Sequence, residues 1–469
     1  MTLVAAIDQG STATKGAVLD VTGRPVARAE VGVQTRRRGE EVEHDPEELL
    51  ASVRQVLGEL RRWHEPAALA LACQRSTCLV WERASGRPLT AAVSWQDRRT
   101  AAAVAALADH GGAVEARTGL RLSPHYAGSK LGLLLRDLPR GVARAAAGEL
   151  LAGTLDAFLV HRLTGAAATE PGHAGRTLLY DLDGDVWDDG LCRLFGVPLA
   201  ALPALRPSLG DWGDAQGLPL VAVAGDQQAA LVGHGGGEPG VVAVHFGTGA
   251  FVLAGVGMRP RRHPGLLAAV VWSEPGARRF QLEGSVNSAG SAVQWAAELA
   301  GRDLAALRVD ALEPERLALF LPAFHGVAAP WWRPAATAVL WGPPVSAPPE
   351  ALVESVLAGV AMRVVDCLEA LTAAGCGAAT VRVSGRLTRL AGLPALIADA
   401  SGATVEILAE EEAGLAGVGR LAVRRLHGAE APVAAPTVAW RREPRWAEER
   451  RRRVRRRWRE FVGRALDPA

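Results

Sequence analysis

The chain of 469 residues is too long for one ordinary hydrophobic core, so its length predicts two domains. Hydrophobic residues make up 49% and charged residues 22% of the chain, which is typical of a globular protein and excludes a disordered one. The formal net charge of +2 favours neither nucleic acid nor a membrane surface as the partner.

The cysteines indicate the compartment. There are five, widely spaced and without a C-x-x-C pair, which argues against a disulfide framework and against a zinc site. We therefore expect a reducing, cytoplasmic location. The sequence begins without a basic and apolar leader, and no apolar run approaches the ~20 residues that span a bilayer, so we expect neither secretion nor a membrane span.

The first predicted element is a β-hairpin suited to hold a phosphate chain. Apolar runs at 3–7 and 17–19 flank the polar turn Asp8–Gly16. The turn contains three hydroxyls, two glycines, one carboxylate and Lys15, which are the groups that bind a nucleotide phosphate tail and its magnesium. An ordinary solvated β-turn is the alternative, because short Gly/Thr motifs are weak signals.

A second copy of this pattern favours the phosphate-binding interpretation. Val241–His245 lead into Phe246–Ala250, and another apolar run follows over 251–256. A strand, a Gly/Thr turn and a strand therefore recur at the start of the second half. Two such hairpins predict a cleft between two domains.

Between the hairpins, the pattern of apolar and polar residues predicts alternating strands and helices. In chain order, we expect a strand near 26–33, a helix after His44–Glu48, a strand over 68–73 ending in Gln74–Thr77, a polar and aromatic cluster over 93–100, capped helices near 131–135 and 155–163, a loop over 169–177, and a strand over 221–224 that ends at Asp226. Gly and Pro accumulate over 234–240, which predicts domains 1–235 and 236–469.

The second half repeats this alternation. We expect a helix after 282–290, a strand over 317–321, a long helix over 351–371, strands over 379–383 and 403–408, and a Gly/Ala-rich helix from Gly414. The tail 441–464 is predicted to be a basic helix whose apolar stripe packs on the second domain. An RNA-binding helix is the alternative, although four glutamates offset its arginines.

Several long motifs in this order resemble the FGGY carbohydrate kinases, most closely the glycerol kinase branch of that family. They are VEHDPEE, QRST, SWQDRRT, AGDQQAALVG, FGTGAF, LEGSVNSAGSAVQW and LPAFHGVAAPWW, and they cover essentially the whole chain. The resemblance implies an α/β fold of two actin-like ATPase (ribonuclease H-like) domains flanking a deep interdomain cleft. It also implies ATP as phosphoryl donor, Mg²⁺ as cofactor and a small polyol or sugar as substrate, in a homodimer or homotetramer.

The resemblance also assigns site residues. Asp226 matches the general base that deprotonates a primary hydroxyl, and its alternative role is a helix N-cap. Asp8 and Asp226 are expected at the metal. The substrate is expected to contact Arg75, Ser76, Trp95, His125, Gln227 and Phe251. The nucleotide is expected to contact Gly10, Ser11, Thr12, Lys15, Gly247, Thr248, Gly290, Gln294, Gly385 and Arg386.

Four positions depart from the family pattern. Ser76 replaces a glutamate and His125 a tyrosine, which predicts an altered substrate pocket with added room at Ser76 and a substrate longer than glycerol. Retention of glycerol through Ser76 and water is the alternative. On the nucleotide side, Arg386 replaces a glycine and Leu390 an asparagine, so Arg386 either grips the nucleotide by another route or blocks it.

Two other classes of function stay open at this point. A non-catalytic descendant of the fold that binds a small polyol or a protein partner is favoured by Arg386 and Leu390. The survival of four residues argues against it: Asp8, Thr12, Asp226 and Thr248. An actin-like or chaperone-like ATPase is disfavoured by the substrate cluster between Arg75 and Trp95. We expect a sugar or polyol kinase.

Overall fold

The computed structural model describes residues 2–62, 64–342, 348–377, 379–410, 412–428, 431 and 435–467. In the first half, the described strands are β1 (Leu3–Gln9), β2 (Ala13–Asp20), β3 (Pro25–Gly32), β4 (Arg36–Arg38), β5 (Glu41–His44), β6 (Ala68–Cys73), β7 (Cys78–Glu82), β8 (Ala92–Val93), β9 (Leu150–Thr154), β10 (Ala168–Thr169), β11 (Tyr180–Asp181), β12 (Val186–Trp187), β13 (Ala204–Leu205) and β14 (Leu220–Gly225). The helices are α1 (Pro46–Arg61), α2 (Ala101–Ala105), α3 (Gly111–Thr118), α4 (Ala127–Asp137), α5 (Gly141–Ala146), α6 (Leu155–Thr164), α7 (Pro171–Gly175), α8 (Asp189–Phe195) and α9 (Asp226–Gly233).

In the second half, the described strands are β15 (Val241–Phe246), β16 (Ala250–Gly257), β17 (Leu267–Glu274), β18 (Ala277–Val286), β19 (Leu319–Leu321), β20 (Val339–Trp341), β21 (Thr380–Ser384), β22 (Thr404–Leu408) and β23 (Val438–Arg442). The helices are α10 (Gly290–Leu299), α11 (Pro349–Ala373), α12 (Gly392–Ser401), α13 (Ala413–His427) and α14 (Glu448–Leu466). Short 3₁₀ turns lie at Ala108–His110, Leu199–Ala201, Leu304–Ala306 and Arg386–Arg389.

The two halves contain sheets of the same topology. In the first sheet, the order is β14-β6-β1-β2-β3, with β1, β2 and β3 antiparallel and β6 and β14 parallel to β1. In the second, the order β18-β16-β15-β21-β22 repeats this pattern, and β17 and β23 extend it at the edges. The mixed sheet, repeated once, is the ribonuclease H-like arrangement of the actin-like ATPase fold.

Both predicted hairpins are confirmed. β1 pairs with β2 and β15 pairs with β16, each across a short polar turn. The strand over 68–73 is also confirmed, and α1 is capped as its sequence predicts, because the Asp45 side chain accepts the N–H of Glu47. These elements follow from local patterns of apolar residues and caps.

One helix of the second half completes the core of the first. Leu415, Val418 and Ala422 of α13 pack with Val4 and Ala70 of the first sheet. The same helix also packs closely on α9, and Gly417 permits this contact. A Cβ on Gly417 would clash with the carbonyl oxygen of Ala229 in α9. The two halves are therefore joined by a continuous apolar contact and not only by their connecting segment.

The prediction of a loop over 169–177 is wrong. Residues 171–175 form α7, whose first N–H groups are capped by Glu170: its carboxylate accepts from the N–H of Gly172 at 2.8 Å and of His173 at 2.6 Å. Every residue of the helix is buried. Pro171 starts the helix, and the glycines that suggested a loop allow close packing instead.

The starts of two helices and the capping of two differ from the prediction. α4 begins at Ala127, four residues before the predicted start, and neither α4 nor α6 has a side-chain cap. The tail is a strand followed by a helix: residues 438–442 pair with β22 as β23, and α14 starts only at Glu448. Arginine occurs in strands as well as in helices, so the arginines do not predict where the strand ends and the helix begins. The pairing of β23 with β22 decides it.

The packing of the tail on the second domain is confirmed. Val454, Trp458, Phe461 and Val462 are buried in the core of the second half. Six arginines of the helix pair with glutamates, such as Arg450 with Glu315 at 2.9 Å. Among the described residues, no helix is both long and apolar enough to cross a membrane.

Candidate functional site

The first hairpin presents its turn at the carboxyl end of β1. Gly10 donates its N–H to the carbonyl of Ala13 at 3.0 Å, which closes the turn, and the Thr12 side chain is exposed. Ser11 is half-buried. Thr14, in contrast, points inward and shares a hydrogen bond of 2.6 Å with Ser52. Two of the three hydroxyls in the motif are therefore open to a ligand.

Asp8 of the first half and Glu412 of the second half place their carboxylates beside this turn. The Nζ of Lys15 lies 2.7 Å from an oxygen of Glu412, the residue before α13. Burial and the negative charges of Asp226 and Glu412 raise the pKa of Asp8 to about 7. A Cβ on Gly414 would lie 2.5 Å from Oδ2 of Asp8, so the start of α13 leaves space for this carboxylate only because it carries glycine.

Asp226 is the first residue of α9 and follows the buried strand β14. Its Oδ1 accepts the N–H of Gln227 at 2.8 Å and lies 3.4 Å from Nε of Arg75. The side chain is 28% exposed. Gly225 occupies the N-cap position and Asp226 makes no N-cap hydrogen bond, so the alternative role as a helix cap is not observed. The carboxylate is instead oriented by Arg75 with one side open.

A buried charge cluster holds Arg75. Its Nη1 lies 3.0 Å from Glu283 of β18, and Arg176, which follows α7, also pairs with Glu283. Burial acts to raise the pKa of Glu283, but the two arginines outweigh it and hold this pKa at about 2. The cluster therefore joins a carboxylate of the second half to two guanidinium groups of the first.

Two members of this cluster, Arg176 and Glu283, were not among the site residues predicted from the sequence. Arg176 lay in the segment predicted as a loop, and Glu283 lay in a quoted motif without an assigned role. A buried strand such as β18 seldom contains a glutamate unless it is paired. That feature was the available signal for Glu283.

Aromatic side chains lie beside the cluster. Trp95 and His125 contact edge to face with ring centroids 5.6 Å apart, and the guanidinium of Arg75 lies 5.9 Å from the Phe251 ring centroid. Burial and the nearby cations Lys130, Arg176 and Arg75 lower the pKa of His125 to about 3. The structure therefore brings together the substrate residues predicted on both halves.

Two predicted substrate residues differ in their exposure. Gln227 is half-buried, and its Nε2 lies 3.4 Å from Oδ2 of Asp226. Ser76 is completely buried, with φ of +64° and no hydrogen-bond partner for its Oγ among the described residues. The added room at Ser76 stays a prediction. The turn around Ser76 is held by hydrogen bonds that join Thr77 to Gln74 and to the N–H of Trp95.

The turn of the second hairpin is held from behind by α10. Gly247 and Thr248 are exposed, and Gly290 donates its N–H to the carbonyl of Gly247 at 3.1 Å. A Cβ on Gly290 would clash with that carbonyl. Gln294 is exposed one turn along the helix and bonds Glu298 at 2.7 Å. The N-terminus of α10 thus supports the turn rather than opening away from it.

The segment after β21 contacts the same hairpin. Gly385 has φ of +98°, and a Cβ there would clash with the carbonyl of Phe246. Arg386 follows with its side chain exposed, whereas Leu390 is 4% exposed and belongs to the core. Of the two unusual residues on the nucleotide side, only Arg386 therefore faces solvent.

The charges of Asp226 and Glu412 affect one titratable group in each hairpin. They act to raise the pKa of Asp8, near the end of β1, and that of His245, near the end of β15. Among the described residues, no set of three His, Cys, Asp or Glu side chains is arranged around a metal. The chemistry of Asp8 and Asp226 nevertheless fits Mg²⁺, which is usually bound through one or two carboxylates with water and phosphate. Oδ1 of Asp8 is buried and has no hydrogen-bond partner in the part of the chain that the structure describes.

The structure combines two halves with sheets of the same topology and a buried cluster of charged side chains to which both halves contribute. The sequence profile of the FGGY family of carbohydrate kinases matches residues 3–233 with its N-terminal domain and 242–426 with its C-terminal domain. The chain belongs to this family and is a phosphotransferase that acts on an alcohol group.

Similar proteins agree with the assignment. The chain is 37% identical over 450 residues to a glycerol kinase of Xanthobacter autotrophicus, covering 89% of each chain. It is 36% identical over 496 residues to one of Thermus brockianus, covering 99% of each. The fold matches a crystal structure of Plasmodium falciparum glycerol kinase with ADP (TM-score 0.89, 22% identity, 100% of this chain and 99% of that one) and a xylulose kinase from Rhodospirillum rubrum (TM-score 0.86, 21% identity, 98% of each).

Proposed function

We propose that this kinase transfers the γ-phosphoryl group of ATP to a primary hydroxyl of a small polyol or sugar, with Asp226 as the general base. The observation that carries the proposal is the position of Asp226: it follows a buried strand, lies 3.4 Å from Nε of Arg75 and keeps 28% of its side chain exposed. A carboxylate so placed can accept the hydroxyl proton as the phosphoryl group is transferred.

The substrate side of the proposal rests on the residues around Asp226. Arg75 is held by Glu283 and orients both the base and an acceptor hydroxyl. Trp95, His125 and Phe251 form apolar walls for the carbon chain. Positioning dominates catalysis in phosphoryl transfer, because the loose transition state needs little basicity.

The nucleotide side rests on the two turns. Ser11, Thr12 and Lys15 of the first turn, with Gly10 at its start, and Gly247 and Thr248 of the second are proposed to bind the phosphates, with Gly290 behind the second turn. Gln294, Gly385 and Arg386 are proposed for the nucleoside side. Mg²⁺ would be held by Asp8 and Asp226, and when bound it supplies neutralisation of the phosphate charge.

The length of the acceptor is proposed from the residue at position 76. Ser76 lacks the carboxylate of the family pattern, which favours an acceptor longer than glycerol, and retention of glycerol through Ser76 and water is the alternative. Trp95, whose N–H bonds Thr77 next to Ser76, and His125 are half-buried and are proposed to contact the carbon chain. The glycerol kinase relatives support an acceptor of similar chemistry.

A coupled assay of ADP release tests the function. Purified protein with ATP and Mg²⁺ is given glycerol, erythritol, xylitol, ribitol and xylulose in turn. We expect ADP release that depends on at least one of these acceptors, with a matching phosphorylated product by mass spectrometry. Equal ADP release without any acceptor would indicate an ATPase, and no ATP binding by calorimetry would contradict the kinase proposal.

Three broader features belong to the same proposal. The cytoplasmic location is supported by the five cysteines, none of which forms a disulfide. A homo-oligomeric state and the division into domains 1–235 and 236–469 stay predictions. Sedimentation and limited proteolysis between Gly233 and Val241 would test them.

A further inference from the structure

A histidine lies next to the turn of the second hairpin and has no role so far. His245 is the fifth residue of β15, and it is half-buried. Its Nε2 lies 4.0 Å from the position that a Cβ on Gly247 would take. The charges of Asp226 and Glu412 act on its ring. The imidazole therefore lies next to the turn of the second hairpin, where the charges of Asp226 and Glu412 reach it.

The other ring nitrogen of His245 belongs to a chain of hydrogen bonds. Its Nδ1 lies 3.0 Å from Oγ of Ser384, at the end of β21, and the same Oγ lies 3.1 Å from Nε2 of His234. His234 is 1% exposed, and its Nδ1 has no partner among the described residues. Three residues distant in sequence thus fix the ring of His245.

This chain determines which nitrogen of His245 carries the proton. Burial lowers the pKa of both histidines, that of His234 to about 3, so each ring has a single N–H. If Nδ1 of His234 carried the hydrogen, a buried donor would lack an acceptor, and orphaned buried N–H groups are rarer than orphaned acceptors. Nε2 of His234 therefore donates to Ser384, which donates in turn to Nδ1 of His245.

The remaining hydrogen of His245 then lies on Nε2, on the side of the Gly247 turn. Nε2 makes no hydrogen bond to any residue that the structure describes, and it is not enclosed like Nδ1 of His234. A neutral N–H donor at this point can bind an anionic oxygen without adding a cation next to Asp226. A phosphate oxygen that lies near carboxylates can be bound by a donor of this kind.

We propose that His245 donates a hydrogen bond from Nε2 to the triphosphate chain of the donor nucleotide, with Ser384 and His234 fixing its tautomer. This inference rests on the proposed function, because it takes the two turns as the phosphate site. It adds a phosphate-binding residue on β15 ahead of the turn. It also explains why a serine and two histidines from separate elements converge behind that turn.

Two substitutions of His245 separate a phosphate contact from a structural role. In His245→Gln the amide nitrogen reaches the position of Nε2, whereas in His245→Asn it reaches only that of Nδ1. We expect His245→Asn to bind ATP about 10- to 100-fold more weakly than His245→Gln in calorimetry, the loss typical of a hydrogen bond to a charged group. The KM for the acceptor should change less than twofold in either variant.

The opposite order would overturn the inference. If His245→Asn binds ATP like the wild type and His245→Gln does not, the bond to Ser384 is what matters and the role is structural. Equal affinity in both variants would also reject a phosphate contact. Ser384→Ala removes the hydrogen bond that fixes the tautomer of His245. It should weaken ATP binding by a smaller factor than His245→Asn. His110→Gln, at an exposed 3₁₀ turn, is the matched control and should bind ATP as the wild type does.

Failure of the proposed function would be visible separately. Calorimetry with ATP needs no acceptor, so the comparison of His245 variants can be made even if no polyol in the panel is phosphorylated. If the wild type binds no ATP at all, the proposed function and this inference both fail. Melting temperatures of all variants within about 3 °C of the wild type would establish that each is folded.

Discussion

Asp226, the proposed base, is held in place by its backbone position. It lies directly after a strand that is buried along its whole length, so its backbone is held firmly. Arg75 and the N–H of Gln227 contact Oδ1, the side-chain amide of Gln227 lies 3.4 Å from Oδ2, and 28% of the side chain remains exposed. The exposed part of the carboxylate is the part that the proposal assigns to the acceptor hydroxyl.

We expect Asp226→Asn to lower kcat by about 10²- to 10⁴-fold, because the amide cannot accept the proton but keeps the hydrogen bond to Gln227. The measurement is acceptor-dependent ADP release, together with calorimetry of ATP. Asp189→Asn is the control, since Asp189 is an exposed residue of α8 that pairs with Arg193. Product formation at the wild-type rate in Asp226→Asn would contradict the assignment of the base.

At the scale of elements, β18 brings the charge of Glu283 into the first half. Its two partners, Arg75 and Arg176, are buried together with it. Three buried charges are tolerated here because the carboxylate bonds both guanidinium groups. The strand therefore connects the packing of the two halves to the orientation of Arg75 beside the base.

We expect Glu283→Gln to lower the free energy of unfolding by about 3 to 5 kcal/mol, because it removes the carboxylate that pairs with buried Arg176 and leaves Arg75 with Asp226 alone as a counter-charge. The value of kcat/KM for the acceptor should fall at least tenfold. Urea denaturation and steady-state kinetics measure the two effects. Glu238→Gln removes an ion pair with Arg279 in which Glu238 is 59% exposed, and it should cost no more than about 1 kcal/mol. Similar losses in both variants would argue against a special role for Glu283.

The contact between α9 and α13 depends on glycine. At Gly417 the backbone of α13 approaches the carbonyl of Ala229 so closely that no Cβ fits. We expect Gly417→Ala to destabilise the protein by about 1 to 3 kcal/mol, although alanine favours helix. Gly463→Ala in α14, where a Cβ meets no atom within 4 Å, should instead be neutral or stabilising by up to about 1 kcal/mol. The melting temperatures of both variants show whether close packing or helix propensity determines the effect of alanine at Gly417.

At the scale of the whole molecule, the two sheets of equal topology place the carboxyl ends of β1 and β15 toward one region. The charges of Asp226 and Glu412 act on Asp8 of the first hairpin and on His245 of the second. The helix α13 joins the two halves by filling the core of the first half. The site proposed for the phosphates therefore depends on how the two halves pack together.

Buried histidines make the stability of the whole chain depend on pH. The pKa of His234 is about 3 in the folded state, whereas an unfolded histidine takes up its proton near pH 6.5. The unfolded state then binds more protons between these values, so this contribution to stability is lost as the pH falls below about 6.5. At pH 5 the cost from His234 alone is about 2 kcal/mol.

We expect His234→Gln to reduce the difference in unfolding free energy between pH 7 and pH 5 by about this amount, about 2 kcal/mol. Asp8 and Asp366 have pKa values raised to about 7 and act in the opposite direction, so the comparison of variants and not the total slope is the test. Urea denaturation at the two pH values gives the difference. An unchanged pH dependence in His234→Gln, matching that of His110→Gln, would contradict the prediction.

The sequence by itself determined the elements whose signals are local. The two hairpins, the capped start of α1, the strand over 68–73 and the position of Asp226 at a strand end follow from the spacing of apolar residues and from turn chemistry. The long motifs determined the family for the same reason, because they are contiguous runs of residues. These features need no knowledge of which distant segments meet.

Only the tertiary structure decided the contacts between segments distant in sequence. It paired Glu283 with Arg75 and Arg176, it buried Ser76, and it placed Leu390 in the core. It also turned the predicted loop over 169–177 into a buried helix. The physical reason is that burial and charge pairing depend on the whole set of neighbours in space, whereas periodicity and caps depend only on the few residues on either side.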